Sequence, residues 1–236
     1  MTNSELINLT IDGRKVKVPP GTTILEAARS AGIDIPVICL HEATTAEGLC
    51  RQCVVEVDGW GRLAPACITT AAEGLVVQTA SERVIRARRT ILEMLNASVD
   101  LSRSPELQDQ MEQYQADPDR FPGAKKRESQ IRDDNPFYVR DYSQCILCWR
   151  CVQACADDMQ YTYALGLGGR GHDSHICTFY DFPLPDTTCV FCGNCVAVCP
   201  TKALQDKTEY LVEKGYQHHE IRALRRQERQ EKRSGS

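Results

Sequence analysis

The chain has no long apolar run. Its hydrophobic stretches are short and interrupted, so none reads as the roughly 20-residue segment that a membrane-spanning helix needs. It has no excess of positive charge either, and a formal net charge of −4 gives a nucleic-acid role no support. The opening residues, MTNSELINLTIDG, carry neither a basic start nor an apolar core. No signal peptide is therefore expected, and a cytoplasmic location is. Aromatic residues make up only 6%, too few for a large aromatic core. No glycine fingerprint sits between a strand and a helix, no flavin or pterin module is visible, and the 5 histidines form no recognisable triad. No substrate site is evident. What remains is ordinary: 236 residues, about right for two small domains, with 42% hydrophobic and 25% charged residues.

The unusual quantity is 13 cysteines. Twelve fall in three groups: Cys39, Cys50, Cys53 and Cys67; Cys145, Cys148, Cys151 and Cys155; and Cys189, Cys192, Cys195 and Cys199, the last followed by Pro200. The second and third share the spacing C-x2-C-x2-C-x3-C. Disulfides belong to oxidising compartments and short secreted chains, and three thiols so close together do not pair. Zinc favours two separated pairs. A short turn presenting three thiolates, with a distant fourth, suits the corners of a [4Fe–4S] cubane. In two-cluster ferredoxins the fourth cysteine of each run ligates the other cluster. The expected sets are Cys145, Cys148, Cys151 and Cys199 for one cluster, and Cys155, Cys189, Cys192 and Cys195 for the other. In the first group, Gly48-Leu49-Cys50-Arg51-Gln52-Cys53 has the glycine and consecutive amides that let a backbone wrap a cluster and donate to its sulfurs. Zinc stays open as an alternative there.

Around the cysteines, apolar and polar residues alternate through 5–18 on both sides of Asp12-Gly13, which predicts a β-hairpin. Thr23 and Glu26 offer a capping box for a helix that Gly32 ends. Strands are expected at Cys53–Val57, before the Asp58-Gly59 turn, and at Val76-Val77. Residues 82–96 show a helical stripe that Arg88 interrupts; a solvated basic face is expected there. Residues 116–136 are polar, with three prolines, and read as a linker. The glycines at 166, 168, 169 and 171 read as loop. His172, His175 and Cys177 beside them do not make a site. The tail, 217–236, is charged and reads as an exposed helix or a disordered extension.

The C-x10-C-x2-C-x13-C group resembles the [2Fe–2S] domain at the start of the large iron–sulfur subunit of respiratory complex I. Its relatives include the diaphorase parts of NAD-reducing hydrogenases and the NAD-linked molybdenum or tungsten formate dehydrogenases. In those relatives a His-x3-Cys-x2-Cys-x5-Cys site follows the helix. Here residues 96–108 keep Glu106-Leu107-Gln108 but hold no histidine or cysteine, so that cluster is expected to be absent. The stretch from Asn135 to Cys148 looks like the approach to the double-cubane domain of formate dehydrogenase large subunits. Trp149 stands where glycine is common, and Ala156 replaces a proline. Lys202 replaces a glycine, which bears on the field near a cluster.

The resemblance implies an α+β chain. A β-grasp [2Fe–2S] ferredoxin domain covers residues 1–80, a helix and linker 81–134, a two-[4Fe–4S] bacterial-ferredoxin-like domain 135–212 and a charged tail 213–236. It further implies an electron-transfer subunit of a formate dehydrogenase, passing electrons between a Mo/W-pterin catalytic subunit and a flavin/NAD subunit, with no membrane span. The alternatives are the equivalent subunit of a multimeric hydrogenase or complex-I-like assembly, and a free-standing polyferredoxin or redox sensor.

Overall fold

A computed structural model describes residues 6–234. The chain forms two units: residues through Ser98 together with Pro105–Lys125, and Val99–Ser104 together with the residues from Lys126 onward.

In the first unit, β1 (Ile7–Ile11) and β2 (Arg14–Val18) pair antiparallel with Ile11 opposite Arg14. Asp12 and Gly13 make the two-residue turn, both at positive φ, as a primed hairpin turn demands. Alternation puts Leu9, Ile11, Val16 and Val18 on the buried face. Helix α1 (Ile24–Ser30) opens with the expected capping box: Thr23 accepts from the Glu26 amide, and Glu26 accepts from the Thr23 amide. A helix of 7 residues is too short to persist alone. It is held by burying Ile24, Leu25, Ala27 and Ala28, at roughly 2 kcal/mol for each large side chain. Then come β3 (Val54–Val57), β4 (Ala64–Pro65) and β5 (Val76–Gln78). The sheet order is β2-β1-β5-β3-β4, with β5 parallel to β1 and antiparallel to β3. This is the β-grasp arrangement, and the strand and turn expectations hold within a residue.

Helix α2 (Glu82–Ser98) buries Val84 and Leu92. Arg88 corrects the expectation of a solvated face. It is 3% exposed and donates to the Tyr114 hydroxyl at 3.0 Å and the Val54 carbonyl at 2.9 Å. It can interrupt the apolar stripe because both terminal nitrogens of its guanidinium find acceptors inside the unit. Helix α3 (Pro105–Gln113) buries Leu107.

In the second unit, β6 (Tyr138–Arg140) pairs antiparallel with β9 (Leu204–Asp206), fixing the chain before the second cysteine run against the chain after the third. Between them lie α4 (Arg150–Cys155), the hairpin β7 (Gly166–Gly168) and β8 (His175–Cys177), and α5 (Asn194–Ala197), which packs against α4. The glycine stretch expected as loop thus contains a strand, paired Gly166 to Cys177. Helix α6 (Lys207–Glu213) is capped by Asp206, and α7 (His218–Ser234) follows, with Ile221 buried.

The polar stretch 116–136 is tied at both ends. Asp117 donates its amide to Glu93, and Arg127 donates to the Cys145 carbonyl at 2.7 Å. Asp134 pairs with the fully buried Arg140. The residues that would carry the family's additional site also have other work. Ser104 donates to the Pro200 carbonyl at 2.8 Å, and Arg103 pairs with Glu213.

Candidate metal centres

All 13 cysteines are free thiols. In the first unit, the loop from α1 to β3 carries Cys39, Cys50 and Cys53, and the turn after β4 carries Cys67. The four sulfurs fall in two pairs. The Cys53 and Cys67 sulfurs are 3.3 Å apart, far beyond a disulfide bond. The Cys50 amide donates to the Cys39 sulfur at 3.4 Å, and the Gln52 amide to the Cys50 sulfur at 3.4 Å. Those are the sulfur-directed amides expected of this loop. Gly48 is required for a further reason. Its φ is +62°, and a Cβ there would meet the Ile68 side chain at 2.6 Å. Hydrogen bonding from the Cys39 thiol holds Cys50 down at about 6, and Cys67 likewise holds Cys53 at about 7. Cys39 and Cys67 are pushed far up in return. In each pair one thiol is thereby shifted towards the thiolate, the form that binds metal.

In the second unit, Cys145, Cys148, Cys151 and Cys199 line one small cavity. Burial drives Cys145 up to about 11, Cys148 to about 12 and Cys151 well beyond its ordinary value. Repulsion from Cys148, Cys145 and Cys199 adds to the burial of Cys151. Cys195 shows the complementary set: burial and the charges of Cys155, Cys189 and Cys192 raise it to about 12. The fourth cysteine of each run thus stands with the first three of the other run. Four thiols facing one small apolar space repel one another once ionised. A polycationic iron core relieves that repulsion, so the donor set fits the group. Among the described residues, no three His, Cys, Asp or Glu side chains are placed to hold a single metal ion.

The two loops have matching backbones. Leu147 and Phe191 have φ +55°, Trp149 +74° and Gly193 +85°. Trp149 lines the cavity of the first set. Cys192 is exposed, beside the exposed Val190, while Cys145 and Cys151 are buried. Lys202 forms ion pairs with Glu209 at 2.9 Å and Glu213 at 2.5 Å, so its charge is locally balanced. His175 and Cys177 both crowd Gly168, where a Cβ would meet the Cys177 sulfur at 2.8 Å and His175 Nε2 at 3.2 Å. His172 lies on the turn between β7 and β8. Sequence reasoning gave no role to Tyr142, which also lines the cavity of the first set. Its position three residues before the first cysteine of the run was the only signal.

Residues 4–82 match the family of 2Fe-2S iron-sulfur cluster binding domains. Residues 136–205 match the ferredoxin-like domain of NADH-quinone oxidoreductase subunit 3. The chain is 37% identical over 220 residues to "NADP-reducing hydrogenase subunit HndD" of Solidesulfovibrio fructosivorans, covering 88% of this chain and 37% of that protein. It is 32% identical over 209 residues to the mitochondrial "NADH-ubiquinone oxidoreductase 78 kDa subunit" of Candida albicans, covering 85% and 28%. It therefore spans well under half the length of these curated relatives. A chain in the crystal structure of NAD+-reducing [NiFe]-hydrogenase in the H2-reduced state matches with a TM-score of 0.77 and 33% identity, over 85% of this chain and 87% of that one. With a 2Fe-2S domain, a helical segment and an Nqo3-type ferredoxin domain in that order, the chain belongs to the iron–sulfur subunit family that includes the N-terminal part of the complex I large iron–sulfur subunit.

Proposed function

We propose that this chain is an electron-transfer subunit of a nicotinamide-linked oxidoreductase, holding one [2Fe–2S] and two [4Fe–4S] clusters. The observation that carries the reading is the crossed grouping of the two later cysteine runs, with Cys199 facing the first run and Cys155 the second. Cys39, Cys50, Cys53 and Cys67 hold the [2Fe–2S] cluster. Cys145, Cys148, Cys151 and Cys199 hold one [4Fe–4S] cluster, and Cys155, Cys189, Cys192 and Cys195 the other. When bound, each cluster takes up and passes on a single electron.

The chain's own residues position and insulate these groups. The Cys50 and Gln52 amides direct donors at sulfur, and Ile176 and Leu204 close the cavity of the first set with apolar surface. Exposed Cys192, with Val190 and Phe137 also exposed, brings the second set to the surface, where electrons exchange with a partner. The experiment is anaerobic native purification with metal analysis and identification of the bound chains.

Two partners are compatible with this reading. The approach to the cubane domain, Asn135 to Cys148, supports a Mo/W-pterin formate dehydrogenase subunit and a flavin/NAD subunit. The names of HndD and of the NAD+-reducing hydrogenase structure support hydrogenase subunits. Co-purifying molybdenum or tungsten selects the first, and nickel or a hydrogenase iron centre the second. No described helix is long and apolar enough to cross a membrane. A cytoplasmic site of action is part of the proposal.

A further inference from the structure

The cavity bounded by Cys145, Cys148, Cys151 and Cys199 has a wall that is mostly aliphatic and aromatic, including Ile176, Leu204 and Trp149. Two lining residues carry hydroxyls. Thr201 stands 3.9 Å from the Cys199 sulfur. Tyr142 is 4% exposed and its hydroxyl is shut off from solvent; the buried Arg140 guanidinium faces its oxygen and can only donate, so the phenolic hydrogen has no acceptor. A buried hydroxyl whose hydrogen finds no acceptor is rare in folded proteins and calls for an explanation, such as an acceptor that arrives with a bound group. The second cysteine set offers a contrast. Tyr138, which feels the charges of Cys195, Cys192 and Cys189, commits its hydroxyl to the Phe191 carbonyl at 2.7 Å.

We propose that the Tyr142 hydroxyl donates a hydrogen bond to a sulfur of the cluster held by Cys145, Cys148, Cys151 and Cys199, and so raises that cluster's reduction potential. The inference rests on the cluster reading above. A phenol is protonated at neutral pH and can donate. Reduction adds negative charge that spreads onto the sulfurs, so a donor to sulfur stabilises the reduced form more than the oxidised one. Tyr142 is thus a positioning and tuning residue. It holds no iron, and its loss leaves every ligand in place.

The test is a potentiometric titration followed by EPR on the full chain, purified without oxygen, in three forms: unmodified, Tyr142→Phe, and with 3-fluorotyrosine at position 142. Phenylalanine keeps the ring and removes the donor. One [4Fe–4S] midpoint is expected to fall while the other stays. Fluorotyrosine keeps the ring and strengthens the donor, so the same midpoint is expected to rise. Unchanged midpoints in both variants, at iron and sulfide contents equal to the unmodified chain, overturn the proposal. If Tyr142→Phe loses its cluster, the sign of the fluorotyrosine shift decides alone. An unmodified chain without acid-labile sulfide overturns the cluster reading and this proposal with it, and metal analysis reads that outcome before any titration.

Discussion

Trp149 and Gly193 stand at equivalent places in the two C-x2-C-x2-C loops and share one left-handed backbone, at φ +74°, ψ −13° and φ +85°, ψ −7°. Each precedes the helix that carries the third cysteine of its run. Only glycine adopts this conformation freely, and a side chain there costs about 1–2 kcal/mol. The second loop avoids that cost. The first accepts it and gains an indole in the cavity wall.

The asymmetry predicts unequal responses. Gly193→Ala adds backbone strain and brings a Cβ to 3.3 Å from the Tyr138 hydroxyl. It is expected to destabilise the chain by about 1–2 kcal/mol, read by anaerobic denaturant unfolding. Trp149→Gly removes strain but opens the cavity to water. Its expected signature is faster bleaching in air of one [4Fe–4S] cluster, with the other unaffected.

Arg88 is a second testable element. Arg88→Ala leaves the Val54 carbonyl and the Tyr114 hydroxyl without their donor in a buried place. A loss of about 2–3 kcal/mol is expected from the first unit. Arg88→Lys restores only part of it, because one ammonium on a flexible stem does not reproduce the planar fork of a guanidinium. Urea unfolding of the two variants checks both statements. A solvated Arg88 would give no measurable loss.

Acid sensitivity follows from Glu213. Burial alone would raise its carboxyl, but hydrogen bonds from Lys202, Gln205 and Arg103 hold it down at about 2, against an ordinary 4.5. A depressed carboxylate stabilises the fold above its unfolded value, and that contribution is lost as pH falls from 4.5 towards 2. Lys202→Met is expected to flatten stability against pH in this window. The group is largely exposed, so the change is small and weakens with added salt. An unaltered pH profile would contradict the pairing.

The ligand partition predicts a crossed pattern. Cys199→Ser is expected to perturb the cluster served by Cys145, Cys148 and Cys151, and Cys155→Ser the one served by Cys189, Cys192 and Cys195. Cys50→Ser is expected to remove the [2Fe–2S] EPR signal and leave both cubane signals. Loss of the cubane signals in Cys50→Ser would contradict the partition.

Much of this was legible in residue order because it depends on local spacing. Asp12-Gly13 declares its turn, Thr23 and Glu26 their cap, and repeated C-x2-C-x2-C runs their loops. What stayed hidden depends on long-range packing. Arg88 looks like a solvated residue until Tyr114, 26 positions on, supplies an acceptor. Lys202 looks like an unbalanced charge until α6 brings Glu209 and Glu213 beside it. The β7–β8 hairpin escaped notice because its glycines and short strands carry no alternating pattern. Tyr142 offers only its place three residues before Cys145; its burial beside four thiols is what marks it.

The most direct measurement is iron, zinc and acid-labile sulfide analysis of the chain prepared without oxygen, with EPR of the reduced protein. The expected result is a coloured protein rich in iron and sulfide, giving one [2Fe–2S] and two [4Fe–4S] signals. Colourless, sulfide-free protein carrying zinc at these cysteines would contradict it.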